Sequence, residues 1–224
     1  MRVLYIALFS LFALTVCDLP VIDVFVESLC PDCMDFIGGS FKNFHEYKDK
    51  DSLAVVNFYP YGNAAEKWNG KSWDFTCQHG ANECYGNTIE TCALNLIDKN
   101  AGHDFMICIE GSIRQYAKDF NQTLSHCVDE EMKAKILNCV SLGEGNKLQH
   151  EVAQKTPEHN YVPWVHVNGQ HVKDVENKIL SNMVEYLCEL QGKECSEHNK
   201  NFKAKPLGSK CINYQQLEFL KILQ

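Results

Sequence analysis

The sequence predicts an α/β fold interrupted by a disulfide-stapled helical insertion. Three observations carry that expectation: a strand–helix–strand unit near the start, a cysteine-bearing block of helical periodicity in the middle, and a return to strand and helix beyond it. The chain has 224 residues, 45% apolar and 22% charged, an ordinary globular composition with enough apolar surface for one substantial core. Its net charge of −8 argues against a surface built to track phosphates, because nucleic-acid binders present basic patches.

Residues 1–17 read MRVLYIALFSLFALTVC. Arg2 precedes an apolar stretch from Val3 to Val16, which Asp18 and Pro20 break. The stretch is too short to span a bilayer and fits a secretory signal peptide, with Thr15 and Cys17 as the small residues ahead of cleavage. No stable membrane insertion is expected of the mature protein. Loss of Cys17 leaves eleven of the twelve cysteines. In an oxidising compartment most of them belong in disulfides, whose connectivity a sequence does not give. An odd total leaves one thiol free, exchanging or joining two chains, so the oligomeric state stays open. Asn121-Gln122-Thr123 is a glycosylation sequon, which agrees with secretory passage.

Val21 to Val26 (VIDVFV) is β-branched and mostly apolar, as a buried strand is. It leads through Glu27-Ser28-Leu29 into Cys30-Pro31-Asp32-Cys33, where Pro31 suits a first helical turn and Asp32 its positive end. A helix is expected over Pro31 to Tyr47, kinked at Gly38-Gly39. Ser52 to Tyr59 is the next strand, and the unit implies a parallel pair with a right-handed crossover.

From about residue 63 to 158 the periodicity is helical. Thr88 to Asp98 forms one helix, with Asn87 and Glu90 spaced as a cap and its partner. A second uses Phe105, Met106, Ile109, Ile113 and Phe120, and a third starts near Asp129 with Met132, Ile136 and Val140. Cys77, Cys84, Cys92, Cys108, Cys127 and Cys139 lie in this block as structural disulfide candidates. Trp164–Val167 and Gln170–Lys173 then flank Asn168-Gly169, the signal of a two-residue hairpin. Asp174 can cap a last helix to about Leu190. The domain therefore runs over residues 18–190, and 191–224 form a cysteine-containing basic tail, read as a possible propeptide; Cys188, Cys195 and Cys211 complete the structural candidates.

Chemistry points to Cys30 and Cys33. A strand-to-helix junction offers unpaired amides and partial positive charge to a thiolate, the attacking form of cysteine. A second thiol two residues on can attack the resulting mixed disulfide within the molecule. A zinc pair would need a second pair at finger-like spacing, which the chain lacks, so no metal is expected; a purely structural bridge is the other alternative. Val162-Pro163 opens the returning strand, where a proline without an N–H is tolerated.

Cys77 to Cys92, CQHGANECYGNTIETC, fits the pattern CQHG-x₂-EC-x₂-N-x₄-C in every fixed position. On this motif, the CxxC and the later cysteines, the chain from about Val21 to Cys195 resembles the gamma-interferon-inducible lysosomal thiol reductases. The resemblance implies a thioredoxin-like fold with a helical insertion and reduction of disulfides in internalised or unfolded proteins within acidic endosomes and lysosomes. It implies Cys30 as nucleophile, Cys33 as resolving thiol, no bound cofactor, and an external small thiol that recharges the pair. In thioredoxin-like folds the proline at this strand start is cis and packs against the CxxC, while the backbone before it pairs with substrate, which assigns substrate binding to Val162 and Pro163.

Four further expectations concern reactivity. His79 is read as shaping a cysteine-rich turn, because no nucleophile sits beside it. Asp32, between the thiols, should oppose the Cys30 thiolate and so favour reduction. Thioredoxins carry a buried acid six residues before the first thiol; Val24 holds that place here, and Glu27 is nearer without being equivalent. Finally, a thiol of pKa about 8.5 is only roughly 0.03% ionised at pH 5, so Cys30 should have a depressed pKa. The competing readings are a secretory-pathway oxidase or isomerase, and a non-catalytic binding module with an inert Cys30–Cys33.

Overall fold

Strand β1 (Val21–Val26) lies at the centre of a three-stranded sheet, parallel to β2 (Val55–Pro60) and antiparallel to β5 (Trp164–Val167). The computed structural model describes residues 19–193 and 195, so the leader 1–17 and, of the tail, 194 and 196–224 with Cys211 lie outside the described residues. The parallel pair of the sequence reading is present, in register from Val21 opposite Val55 to Val26 opposite Pro60. Ile22, Val24 and Val26 are buried with Val56 and Phe58, the alternation that a pleat imposes on strands with one face in the core.

The helix after the thiols runs as α1 (Pro31–Phe36), a π-helical turn (Ile37–Phe41) and α2 (Lys42–Glu46), continuous over the predicted stretch. The π turn falls on Gly38-Gly39, where the sequence predicts a kink, and it aims Ser40 inward. The last helix, α8 (Lys173–Leu190), packs on this turn and breaks at Asn182. Ser40 Oγ serves the break: it donates to Ile179 O at 2.6 Å and accepts from Met183 N at 2.8 Å, so neither backbone group is orphaned.

Between β2 and β5 the chain builds a hairpin, β3 (Ala65–Trp68) and β4 (Trp73–Thr76), then α3 (Ala81–Leu96), α4 (Lys99–Ser112), α5 (Phe120–Cys127), α6 (Glu130–Ser141) and α7 (Glu144–Lys155). Asp98, Asp119 and Asp129 accept from amides of the first turns of α4, α5 and α6, so a short acid starts each. The predicted second helix is thus two, with Ile113 at the end of α4 and Phe120 opening α5.

Three other expectations are corrected. Helix α3 begins at Ala81, after Gly80 turns with φ +87°, so Asn87 and Glu90 are buried in mid-helix and form no cap. At Asn168-Gly169 both residues take the left-handed conformation and the turn forms, but only a single bridge, Val167 to Gln170, follows before α8 begins. Asp174 lies in the first turn of α8 and caps nothing; Val172 precedes the helix without a side-chain bond. The observed architecture is therefore a mixed α/β chain with small sheets, a large helical fraction and, among the described residues, four disulfides.

Candidate active site

The end of β1 delivers the thiols. Past Val26 the chain turns at Leu29, which sits in the left-handed region at φ 66°, and Cys30 becomes the N-cap of α1. Its Sγ accepts from Cys33 N at 3.4 Å, and Pro31 at the first helical position loses no bond there. Both thiols are free, and they differ in access: Cys30 is 6% exposed and Cys33 is fully buried.

Their electrostatics differ in the same sense. The Cys30 pKa is lowered, first by a hydrogen bond from the Cys33 thiol and then by the Cys33 and Asp32 amides, against burial and the charge of Glu27. Burial pushes the Cys33 thiol well up, and its bond to Cys30 and the Cys30 charge add to this; the Glu27 amide lowers it and Glu110 raises it. Cys30 is thus the thiol that ionises more readily, and Cys33 the one that keeps its proton. The opposing carboxylate is Glu27 and not, as the sequence suggested, Asp32, whose exposed side chain is screened by solvent. An alkylation-rate profile should place the Cys30 inflection below that of free cysteine; an inflection at or above the free value contradicts the assignment.

Opposite Cys30 lies the Val162–Pro163 bond, in the cis form that the sequence reading anticipates. Val162 O is 4.0 Å from Cys30 Sγ, the one protein carbonyl bonded to that sulfur among the described residues. Buried Glu176 of α8 fixes this segment from both sides, accepting from Val165 N at 3.0 Å and from Tyr161 OH at 2.7 Å. Lys173, 2.9 Å away, supplies the counter-charge.

The cysteine-rich signature buttresses the loop before Cys30. Asn87 Oδ1 accepts from Ser28 N at 2.7 Å, and Glu83 O accepts from Ser28 Oγ at 2.9 Å. Gly86 lets α3 approach this closely, since a Cβ there would collide with Ser28 and the Phe120 ring. Gly62, at φ +58°, likewise leaves room for the Glu27 carboxylate, which accepts from Asn63 N at 2.8 Å. His79 does sit on the cysteine-rich turn, yet its ring also reaches the site: Nδ1 meets Glu83 at 2.7 Å and lies 3.6 Å from Glu27. One ligand atom from each of Glu27, His79 and Glu83 lies within 4.8 Å of the others, so the His79 imidazole stands against two buried carboxylates.

The structural candidates pair as Cys77–Cys84, Cys92–Cys139, Cys108–Cys127 and Cys188–Cys195. The first three close within the insertion, so it is the Ser28 contacts, not sulfur bridges, that tie the signature to the strand carrying the thiols. Asn121 is exposed at the start of α5, with Oδ1 bonded to Tyr85 OH. Sequence reasoning missed Asn87, Glu83, Glu90, Glu110 and Glu176 as site residues. The available signal was a row of acids inside otherwise apolar helical faces.

A family model described as "Gamma interferon inducible lysosomal thiol reductase (GILT)" matches residues 21–131, a span that holds both thiols and the signature but not Pro163. The chain is 33% identical over 198 residues to the gamma-interferon-inducible lysosomal thiol reductase of Carassius auratus, covering 86% of this chain and 76% of that protein. It is 33% identical over 178 residues to the Mus musculus protein of the same name, at 77% and 68% coverage. The Arabidopsis thaliana gamma-interferon-responsive lysosomal thiol protein is 32% identical over 159 residues, at 68% and 63%. With a free dithiol of unequal reactivity at its centre, the chain belongs to the gamma-interferon-inducible lysosomal thiol reductase family and is an enzyme of the thiol-disulfide reductase class.

Proposed function

We propose that this protein reduces disulfides of internalised or unfolded proteins in an acidic endosomal or lysosomal compartment, with Cys30 attacking and Cys33 resolving. The observation that carries the reading is the contrast at the helix start: a thiol with a lowered pKa and residual surface beside one that is buried and protonated. The Cys30 thiolate attacks one sulfur of a substrate cystine, forming a mixed disulfide and releasing the other sulfur as a thiolate that takes a proton. Cys33 then gives up its proton and attacks Cys30 Sγ. The substrate leaves as a second thiol, and the two electrons of the dithiol have passed to it. Val162 O, held beside Cys30, pairs with the substrate backbone, and Pro163 shapes that edge.

The order β1–helix–β2, the antiparallel β5 after a cis-proline and the closing α8 support a thioredoxin-like frame, with residues between β2 and β5 as its insertion. An external small thiol restores the dithiol. The leader 1–17 directs the chain into the secretory pathway, toward lysosome or exterior; the tail 191–224 is a candidate propeptide, and Asn121 a candidate glycan site. Among the described residues no helix is long and apolar enough to cross a membrane.

Turbidimetric insulin reduction tests the assignment. Cys30→Ser should fall to the uncatalysed rate, and retention of wild-type activity overturns the reading in favour of a binding module. Glu27 opposes the thiolate and so favours a reductase. A measured potential near that of the strong thiol oxidants, about −120 mV, would favour the oxidase alternative.

A further inference from the structure

Glu90 of α3 and Glu110 of α4 are buried together, at 0% and 2% exposure. None of their four carboxylate oxygens has a hydrogen-bond donor elsewhere among the described residues. Two ionised carboxylates so placed would each carry a heavy desolvation cost and repel one another. A proton between them removes the repulsion and one of the two desolvation costs, because the protonated acid donates to its neighbour. The pair is therefore a proton store walled off from solvent.

Its position says what it serves. Helix α4 packs against α1 and the π turn, the helical run that carries Cys33, and the charge of Glu110 bears on the Cys33 thiol. The other charged groups facing the pair are Glu83, which opposes ionisation of Glu90, and Arg114, which favours ionisation of Glu110. Arg114 is itself 3.8 Å from Asp35 of α1. Glu27, the remaining buried acid nearby, is engaged by Asn63 and bears on Cys30 instead.

We propose that the Glu90–Glu110 pair takes the proton of Cys33 when that thiol attacks the mixed disulfide, and returns it when the dithiol is regenerated. The inference rests on the reductase reading above. In the resolving step the Cys33 S–H proton passes to the ionised carboxylate of the pair through one intervening water. The sulfur keeps the electron pair and bonds to Cys30 Sγ, the bond from Cys30 to substrate sulfur breaks, and the substrate thiolate departs and takes a proton from solvent. When an external small thiol reopens the Cys30–Cys33 bond, the leaving Cys33 sulfur recovers its proton from the pair. A buried acid supplied by the insertion thus does the work for which β1 offers only Val24.

An aromatic disulfide whose thiolate is coloured separates the steps in stopped flow, since attack by Cys30 releases one equivalent and attack by Cys33 the second. In full mature protein, Glu110→Gln should slow the second release roughly 100-fold near neutral pH, leave the first within about twofold, and abolish the inflection of the second-phase pH profile. Glu90→Gln should move the same inflection, and Glu27→Gln should act on the first phase instead. In wild-type protein the second phase should accelerate with pH through an inflection near neutrality; a profile without one overturns the proposal even if neither variant folds. So do folded Glu90→Gln and Glu110→Gln proteins with wild-type second phases. Cys30→Ser must lose both phases; if it does not, the reductase reading itself has failed, a result distinct from failure of the proton store.

Discussion

A Cys33→Ser variant is expected to remain covalently joined to its substrates. Cys30 keeps its place at the helix start, and a serine hydroxyl can still donate to its sulfur, so the first attack proceeds. Nothing then releases the adduct except thiols from solution. An intramolecular thiol acts at an effective concentration many orders of magnitude above that of a thiol in solution, so multiple turnover should fall by at least about three orders of magnitude. Non-reducing gels should show enzyme–substrate adducts that mild reductant dissolves, and Cys30→Ser/Cys33→Ser should show none. Wild-type turnover by the single variant, without adduct, would refute the division of labour between the two sulfurs. The full burial of Cys33 reinforces the expectation, because a substrate cannot reach that sulfur directly.

The placement of the two thiols at a helix start was visible in the sequence because it rests on local rules. A β-branched run, a Cys-Pro at a helix start and a proline ahead of a returning strand each have one dominant local solution. Asp129 was readable for the same reason, and its side chain caps α6 at Met132 N. Two identical dipeptides show where local rules stop. At Asn168-Gly169 the turn forms but the chain leaves as a helix, whereas Asn69-Gly70 sits in the connection between β3 and β4, a hairpin that sequence reading passed over. The difference lies beyond the turn: Trp73 N and O both bond to Asn146 of α7, which holds β4 in place, while Glu176 reaches back from α8 to Val165.

The same limit explains the missed part of the site. Asn87 and Glu90 have the spacing of a cap, and a helix beginning at Thr88 would have used them so. The partners that overrule this spacing are 59 residues away at Ser28 and on a neighbouring helix at Glu110. Polar residues inside an apolar helical face say that something distant must satisfy them, without naming it.

Those buried acids set the dependence of stability on pH. Burial raises Glu90 well above the ordinary carboxylate range and Glu110 to about 7, so below about pH 7 both are neutral in the folded protein where the unfolded chain has lost their protons, and above it Glu110 ionises while Glu90 keeps its proton. Their stabilising share is fully present below about pH 4.5 and is lost as pH rises, for Glu110 through about 7. His103 acts the other way. Burial against the sheet lowers it to about 4, so its share is present above about pH 6.5 and lost as pH falls through 4. Between about pH 4.5 and 6.5 the protons held by the two acids outweigh the one that the histidine forgoes, so stability falls as pH rises. Stability should therefore peak in acid, near pH 4.5, and fall by a few kcal/mol toward neutrality. Urea midpoints of the mature protein across pH 4 to 8 check this. Stability that climbs steadily from pH 5 to 7.5 would rule the account out. Glu90→Gln/Glu110→Gln isolates the cause, since amides cannot titrate: its profile should lose the decline toward neutral pH and keep only the acid-side loss through His103.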